Sequence, residues 1–133
     1  MKQTLTVFCD SSLTESCYIW KDEPPVIVPY DFPVTVNEGE YLSVIRALDY
    51  IRHKGYAKFR VYTDSQLVVR QVNARLNKDY ASPYHTKNQR LYTLGTLLIS
   101  LLKGCEAELH HIGREHNPAG KELEKVSKRR RKK

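Results

Sequence analysis

Three acidic residues lie where a strand or helix is predicted to begin or end. Asp10 ends the strand "VFCD", Asp64 ends the strand "VYTD", and Glu40 lies in the first turn of the helix between them. If the two strands are parallel neighbours, their carboxyl ends meet where an open α/β sheet places its ligands. Three clustered carboxylates repel one another, and a hard divalent cation relieves that repulsion. Such a cluster suits two Mg²⁺ ions and in-line displacement at phosphorus.

Each acid also has a purely structural explanation. Asn37–Glu38–Gly39–Glu40 fits a helix capping box, in which Glu40 reaches back to the Asn37 amide. Asp64 can cap the helix predicted to start at Ser65, and Asp10 can be a turn residue. All three would then lie at sheet ends by coincidence, so we favour a shared site in which Asp64 also caps its helix.

The elements that must hold these acids follow from the hydrophobic pattern. Alternation predicts strands at residues 4–10, 16–21 and 26–32, joined by short turns as an antiparallel meander. The period then changes, and residues 37–53 form an amphipathic helix that ends before Gly55. A strand at 58–63, two helices, a fifth strand in "EAELHHIG" and a last helix capped by Asn117 complete the order βββαβααβα. This order predicts an α/β fold, a five-stranded mixed sheet of three antiparallel strands plus parallel strands, flanked by helices.

The length of the chain and the distribution of its charges predict how it is divided into a domain and a tail. Its 133 residues predict one domain, residues 1–126, followed by a basic tail, residues 127–133. The last nine residues hold seven of the 22 Lys and Arg, which leaves a body with 15 basic and 15 acidic residues. We therefore expect a solvated tail that can contact phosphate backbones, rather than a basic fold.

The remaining composition excludes several classes of protein. No apolar run is long enough for a membrane span, and the start "MKQTLTVF" lacks the pattern of a signal peptide, so we expect a cytoplasmic protein. Cys9, Cys17 and Cys105 show no metal-binding spacing and are expected to be free, largely buried thiols. We expect a monomer, and the sequence identifies no protein partner.

Four segments together resemble the type 1 ribonuclease H family, within the ribonuclease H-like nucleases. They are "VFCDSS", "TVNEGEYLSVIRAL", "VYTDSQLVVRQVN" and "HHIGREHNPAGKELE", and the resemblance runs from about residue 4 to residue 126. Members of this family cleave the RNA strand of an RNA–DNA hybrid, using divalent ions that activate water and stabilise the leaving oxygen. The resemblance implies the same fold, Mg²⁺ or Mn²⁺ as cofactor, two ions in an active enzyme, and an RNA–DNA hybrid or other nucleic acid as partner.

The resemblance also assigns roles to individual residues. Asp10, Glu40 and Asp64 match the metal-binding catalytic carboxylates. Thr35 matches a position that holds a phosphate of the DNA strand, and Asn37 and Gln66 match positions that reach into the minor groove of the hybrid. His111 lies near a histidine that assists product release or proton transfer in some relatives.

The chain departs from the family pattern at the fourth carboxylate, where it has Lys121. A protonated lysine cannot ligate Mg²⁺. Three interpretations stay open: three carboxylates suffice, Glu115 or Glu122 substitutes for the fourth, or the protein binds hybrid or RNA without cutting it. The first hairpin is also shortened to "SSLTES", and "NKDYASPYHTKN" is too short for the basic helix that some relatives use as a substrate handle.

Overall fold

The computed structural model describes residues 4–20, 23–56 and 58–131. It contains, in chain order, β1 (Leu5–Ser11), β2 (Glu15–Trp20), β3 (Val26–Pro29), α1 (Val36–His53), β4 (Lys58–Thr63), α2 (Gln66–Leu76), α3 (Gln89–Lys103), β5 (Glu106–His111) and α4 (Pro118–Arg131). A short 3₁₀ turn, Arg114–His116, precedes α4. The predicted order βββαβααβα is confirmed. The predicted end of the second strand at Lys21 and the last two residues of the tail lie outside the described residues.

The five strands form one mixed sheet in the order β3-β2-β1-β4-β5. The β1–β2 and β2–β3 pairs are antiparallel, whereas β1–β4 and β4–β5 are parallel. Phe8 pairs with Tyr62 in the β1–β4 register. Asp10 and Asp64 each follow two residues later, so this register brings them to neighbouring positions at the carboxyl end of the sheet.

The core lies between one face of the sheet and the helices α1, α2 and α3. Val7 of β1, Phe59 and Val61 of β4, and Val44 and Leu48 of α1 are fully buried there. Alternation along β1 and β4 sends every second side chain into this core, as the sequence pattern predicted. The other face of β1 and β2 is covered by α4, through a smaller cluster formed by Cys17, Ala119 and Leu123.

Two predicted helix caps are wrong by one or two residues. α1 is capped by Thr35, whose hydroxyl accepts from the Glu38 amide at 3.2 Å while the Glu38 carboxylate accepts from the Thr35 amide at 3.0 Å. The capping box therefore lies two residues before the predicted one. α2 is capped by Ser65, which accepts from the Val68 amide at 3.2 Å. Asn37, Glu40 and Asp64 thus have no capping role.

Two predicted element ends also differ. β3 ends at Pro29 and does not reach Phe32, although the Tyr30 amide still donates to the Thr14 carbonyl at 2.9 Å. α4 does not end at the predicted domain boundary near Val126 and continues to Arg131. The expected solvated tail is therefore helical as far as the structure describes it.

Two further expectations concern thiols and membranes. Cys9, Cys17 and Cys105 are all free, the first two buried and the third half-buried, as predicted. Among the described residues, no helix is both long and apolar enough to cross a membrane.

Candidate metal centre

The three acids predicted to share a site do come together. Ligand oxygens of Asp10, Glu40 and Asp64 all lie within 4.8 Å of one another, and among the described residues no other His, Cys, Asp or Glu joins them. Asp10 and Asp64 come from the parallel neighbours β1 and β4, and Glu40 comes from the first turns of α1. The sequence prediction of one cluster at the carboxyl end of the sheet is therefore correct in its geometry.

A close approach between α1 and the end of β1 brings Glu40 to the cluster. A Cβ atom on Gly39 would lie 2.5 Å from the Ser11 hydroxyl, so only glycine allows this approach. Tyr30 fixes the contact, since its hydroxyl donates to the Gly39 carbonyl at 3.1 Å and hydrogen-bonds the Ser11 hydroxyl at 2.6 Å. No local sequence pattern indicates Tyr30, because its role depends on residues 9 and 19 positions away.

The electrostatics of the cluster favour a bound cation. Burial, and next the charge of Asp64, raise the pKa of Asp10 to about 6. Burial, and then the charges of Asp10 and Asp64, raise the pKa of Glu40 to about 8. One buried oxygen of Glu40 and one of Asp64 have no hydrogen-bond partner among the described residues. Oxygen ligands that repel one another and lack donors are what a hard divalent cation coordinates, so the residues fit Mg²⁺ or Mn²⁺.

Arg114 is a site residue that the sequence analysis missed. It follows β5 in the 3₁₀ turn, and its positive charge lowers the pKa of both Asp10 and Glu40 without cancelling the effect of burial. It makes no ion pair within 4.0 Å among the described residues. The available signal was its position three residues before Asn117, in the segment "REHN".

α4 places a glycine beside Asp10 and a lysine in the adjoining cleft. The buried Asn117 side chain donates to the Cys9 carbonyl at 3.0 Å and accepts from the Ala119 amide at 3.1 Å, which anchors the helix to β1. One turn later, a Cβ atom on Gly120 would lie 2.8 Å from an Asp10 oxygen. Lys121 is the next residue, exposed, and lines a cleft together with Asp10.

The other predicted site residues are placed around the cluster but outside it. Thr35, Asn37 and Gln66 are exposed near the first turns of α1 and α2. Glu115 lies in the cleft 3.7 Å from His116, and Glu122 is paired with Lys125 at 3.2 Å. His111 is exposed at the end of β5, whereas its neighbour His110 stacks on Tyr62. Neither glutamate lies within the carboxylate cluster.

The sheet order, the parallel pair β1–β4 and an acidic cluster at its carboxyl end define a ribonuclease H-like protein. The sequence model of the reverse transcriptase-like family matches residues 33–125, and the chain belongs to this family. The resemblance to type 1 ribonucleases H seen in the sequence motifs is thereby confirmed at the level of family and fold. No curated protein sequence matches the chain.

Solved structures of ribonucleases H share the fold over nearly the whole chain. The structure of LC11-RNase H1 in complex with RNA/DNA hybrid is 20% identical, has a TM-score of 0.70, and covers 90% of this chain and 93% of that one. RNase H1 from Halobacterium salinarum is 20% identical at a TM-score of 0.68, covering 91% and 94%. The N-terminal RNase H domain of a Mycobacterium tuberculosis protein is 19% identical at 0.68, covering 91% and 95%.

Proposed function

We propose that this protein is a metal-dependent endonuclease that cleaves the RNA strand of RNA–DNA hybrids. The observation that carries the proposal is the cluster of Asp10, Glu40 and Asp64, with ligand oxygens within 4.8 Å at the carboxyl end of a ribonuclease H-like sheet. One relative of the same fold is described in complex with an RNA/DNA hybrid. Hydrolysis of a phosphodiester at such a site needs positioned ligands and electrostatic stabilisation rather than a protein nucleophile.

In this proposal the three carboxylates hold Mg²⁺ or Mn²⁺, with two ions in the active enzyme. The bound ions would supply activation of the attacking water and stabilisation of the leaving oxygen. The protein contributes fixed geometry. Tyr30 and Gly39 hold Glu40 in place, and the hydrogen bond from Asn117 to Cys9 fixes α4 against the strand that carries Asp10.

Residues at the helix starts would hold the substrate. The hydroxyl oxygen of Thr35 accepts from the Glu38 amide, and its proton remains available to donate to a phosphate of the DNA strand. Asn37 and Gln66 are exposed and do not cap a helix, so their side-chain amides are available to form hydrogen bonds in the minor groove of the hybrid. There the 2′-hydroxyl distinguishes RNA from DNA.

A second function is favoured by one observation, the lysine on α4. This alternative is supported by the cluster of three acids among the described residues and by Lys121, which lines the cleft that Asp10 also lines. A cation there weakens the field for a second divalent ion. The alternative is a catalytically impaired protein that binds RNA–DNA hybrid or RNA without cutting it.

The deciding experiment is cleavage of a labelled RNA–DNA hybrid by purified protein with Mg²⁺, with Mn²⁺ and with chelator. We expect metal-dependent cutting of the RNA strand only. The substitution Asp10→Asn removes a ligand charge while keeping the size of the side chain, so we expect it to abolish cutting and to leave hybrid affinity within about threefold.

The two functions give different results in this assay. Unchanged turnover in Asp10→Asn would refute the assignment of the three carboxylates. Hybrid binding without cutting in either metal would instead favour the binding protein. A chain that cleaves single-stranded RNA or DNA duplex equally well would contradict the proposed substrate.

A further inference from the structure

A cleft of about 680 Å³ opens beside the carboxylate cluster. It lies between the β1–β2 turn on one side and α4 with the 3₁₀ turn on the other. Its volume falls in the range of roughly 300–1,000 Å³ that small-molecule sites occupy. Asp10 is one of its lining residues, so a group bound here would adjoin the candidate metal centre.

The cleft contains two cationic side chains that form no ion pair within 4.0 Å among the described residues. Arg114 and Lys121 both line it, both are exposed, and neither makes an ion pair within 4.0 Å among residues 4–20, 23–56 and 58–131. An unpaired arginine and lysine on two different elements, converging on one cavity, are suited to a phosphate group.

The acidic and hydroxyl groups of the cleft further restrict the chemical class of ligand that it can bind. Glu115 is held near His116 at 3.7 Å, whereas Glu124 makes no ion pair among the described residues. Ser12 forms a fixed wall, because its hydroxyl accepts from the Thr14 and Glu15 amides at 3.2 Å each. Ser127 lines the outer end of the cleft, on the part of α4 beyond the predicted boundary. A free carboxylate beside two cations suits a ligand that carries hydroxyl donors as well as phosphate.

We propose that this cleft binds a ribonucleotide next to the scissile phosphate, with its phosphate against Arg114 and Lys121 and a ribose hydroxyl donating to Glu124. The inference rests on the proposed function, because it takes a nucleic-acid strand as substrate. It gives Lys121 a binding role in place of the metal-ligand role that its position has in the family. It also relates two departures from the family pattern, since the short hairpin and Lys121 line one cavity.

Binding measured in chelator tests the cleft without requiring catalysis. Fluorescence anisotropy gives the Kd of a labelled RNA–DNA hybrid and of a DNA duplex of the same sequence at several salt concentrations. We expect Lys121→Ala to weaken hybrid binding about five- to tenfold and to reduce the salt slope by about one unit. The matched control is Lys125→Ala, which removes the same charge one turn away, outside the cleft, and should change the Kd less than about twofold.

Two further variants test how the cleft recognises the shape and the ribose hydroxyl of the nucleotide, apart from the charge of its phosphate. Ser127→Leu fills the outer cleft without changing charge, and we expect it to weaken hybrid binding at least about threefold. Glu124→Gln removes a negative charge, which alone would strengthen binding to both duplexes. We expect it to lower the preference for hybrid over DNA duplex, because the carboxylate no longer accepts from the ribose.

The results separate this inference from the proposed function. Equal effects of Lys121→Ala and Lys125→Ala, or native affinity in Ser127→Leu, would overturn the cleft. If the protein cleaves the hybrid but these substitutions leave its Kd for hybrid unchanged, nucleotide binding in the cleft is refuted and the proposed nuclease function is not. Binding that depends on the cleft, in a protein that cuts nothing with either metal, would support the cleft and refute the nuclease.

Discussion

At the scale of single residues, Asp10 and Glu40 are carboxyl groups whose ionisation the fold opposes. Burial and the neighbouring carboxylates raise their pKa values to about 6 and about 8, from 3.8 and 4.5. Each group therefore binds its proton more tightly in the folded protein than in the unfolded chain. Its contribution to stability is complete below the unfolded pKa and is lost as the pH rises through the folded pKa.

This linkage predicts how the metal-free protein responds to pH. In chelator, the free energy of unfolding should fall between about pH 4 and pH 8, by an amount on the order of 1–3 kcal/mol. Urea unfolding at several pH values measures it. Asp10→Asn should flatten this dependence and raise the stability at pH 8. Mg²⁺ or Mn²⁺ should stabilise the native protein more at pH 8 than at pH 5.5, and equal stabilisation at both would contradict the linkage.

Lys121 lines the cleft beside Asp10, and we expect it to affect how the site binds a second ion. Lys121→Asp supplies the carboxylate that the resemblance to the family implies at this position and removes a positive charge. We expect cleavage to reach its maximum at a lower metal concentration and kcat to rise several-fold. We expect KM for the hybrid to rise as well, because the cleft loses a phosphate contact. Steady-state kinetics over a metal titration measures all three.

The matched control for this substitution is Lys121→Gln. It removes the positive charge without supplying a ligand, so it separates relief of repulsion from metal coordination. Equal gains in both variants would show that the aspartate does not bind metal. No gain in either would mean that three carboxylates already suffice or that the shortened hairpin limits the reaction.

At the scale of elements, the start of α4 anchors that helix to β1. The Asn117 side chain is fully buried and joins the first turn of α4 to the Cys9 carbonyl. Gly120, one turn further, packs against Asp10. The position of the helix, and so of Lys121, therefore depends on one amide side chain.

This dependence predicts a large effect of Asn117→Ala. The substitution leaves the Cys9 carbonyl and the Ala119 amide without partners in a buried place, which should cost about 2–4 kcal/mol. Asn88→Ala is the matched control, because Asn88 also caps a helix but is exposed, and its loss should cost about 1 kcal/mol. Chemical denaturation compares the two, and equal losses would show that burial of Asn117 adds nothing.

Local patterns were sufficient to predict the elements but not all of their contacts. Alternation in β1 and β4 and the change of period in α1 gave the strand and helix order, because burial on one face imposes those periods. The three carboxylates followed from where the strands end. The caps Thr35 and Ser65 could not be distinguished from Asn37 and Asp64, since all four are good capping residues and the choice depends on tertiary contacts. Tyr30 acts across long sequence separations and left no local pattern, whereas the available signal for Arg114 was its position in the segment "REHN".

At the scale of the whole molecule, most of the net charge of +7 belongs to the last seven residues of the chain. Residues 127–133 contain six of the 22 basic residues and no acid. Ser127, Lys128 and Arg129 are exposed on the helix and contribute nothing to the core. Lys128 and Arg129 follow directly after the cleft residue Ser127, so they are placed to contact phosphates further along the same duplex.

Replacement of these six basic residues by glutamine tests that contact. The net charge falls to +1 while Ser127 and the helix are kept. We expect binding to hybrid and to DNA duplex to weaken together, and the salt slope to fall by as much as about five units. Cleavage at saturating hybrid should be unchanged. A loss of binding to hybrid but not to DNA duplex would instead indicate that this segment recognises the RNA strand.

The buried thiol of Cys9 can report local opening of the candidate site. Cys9 directly precedes Asp10, its carbonyl is held by Asn117, and burial raises its pKa well above the usual value. Thiol reagents attack the thiolate, so folded protein protects this residue, whereas any opening of β1 exposes it. The half-buried Cys105 is available for comparison in the same sample. The extent of Cys9 alkylation, measured by mass spectrometry of the peptides, would therefore report how often the candidate site unfolds locally in the native protein, without an introduced label.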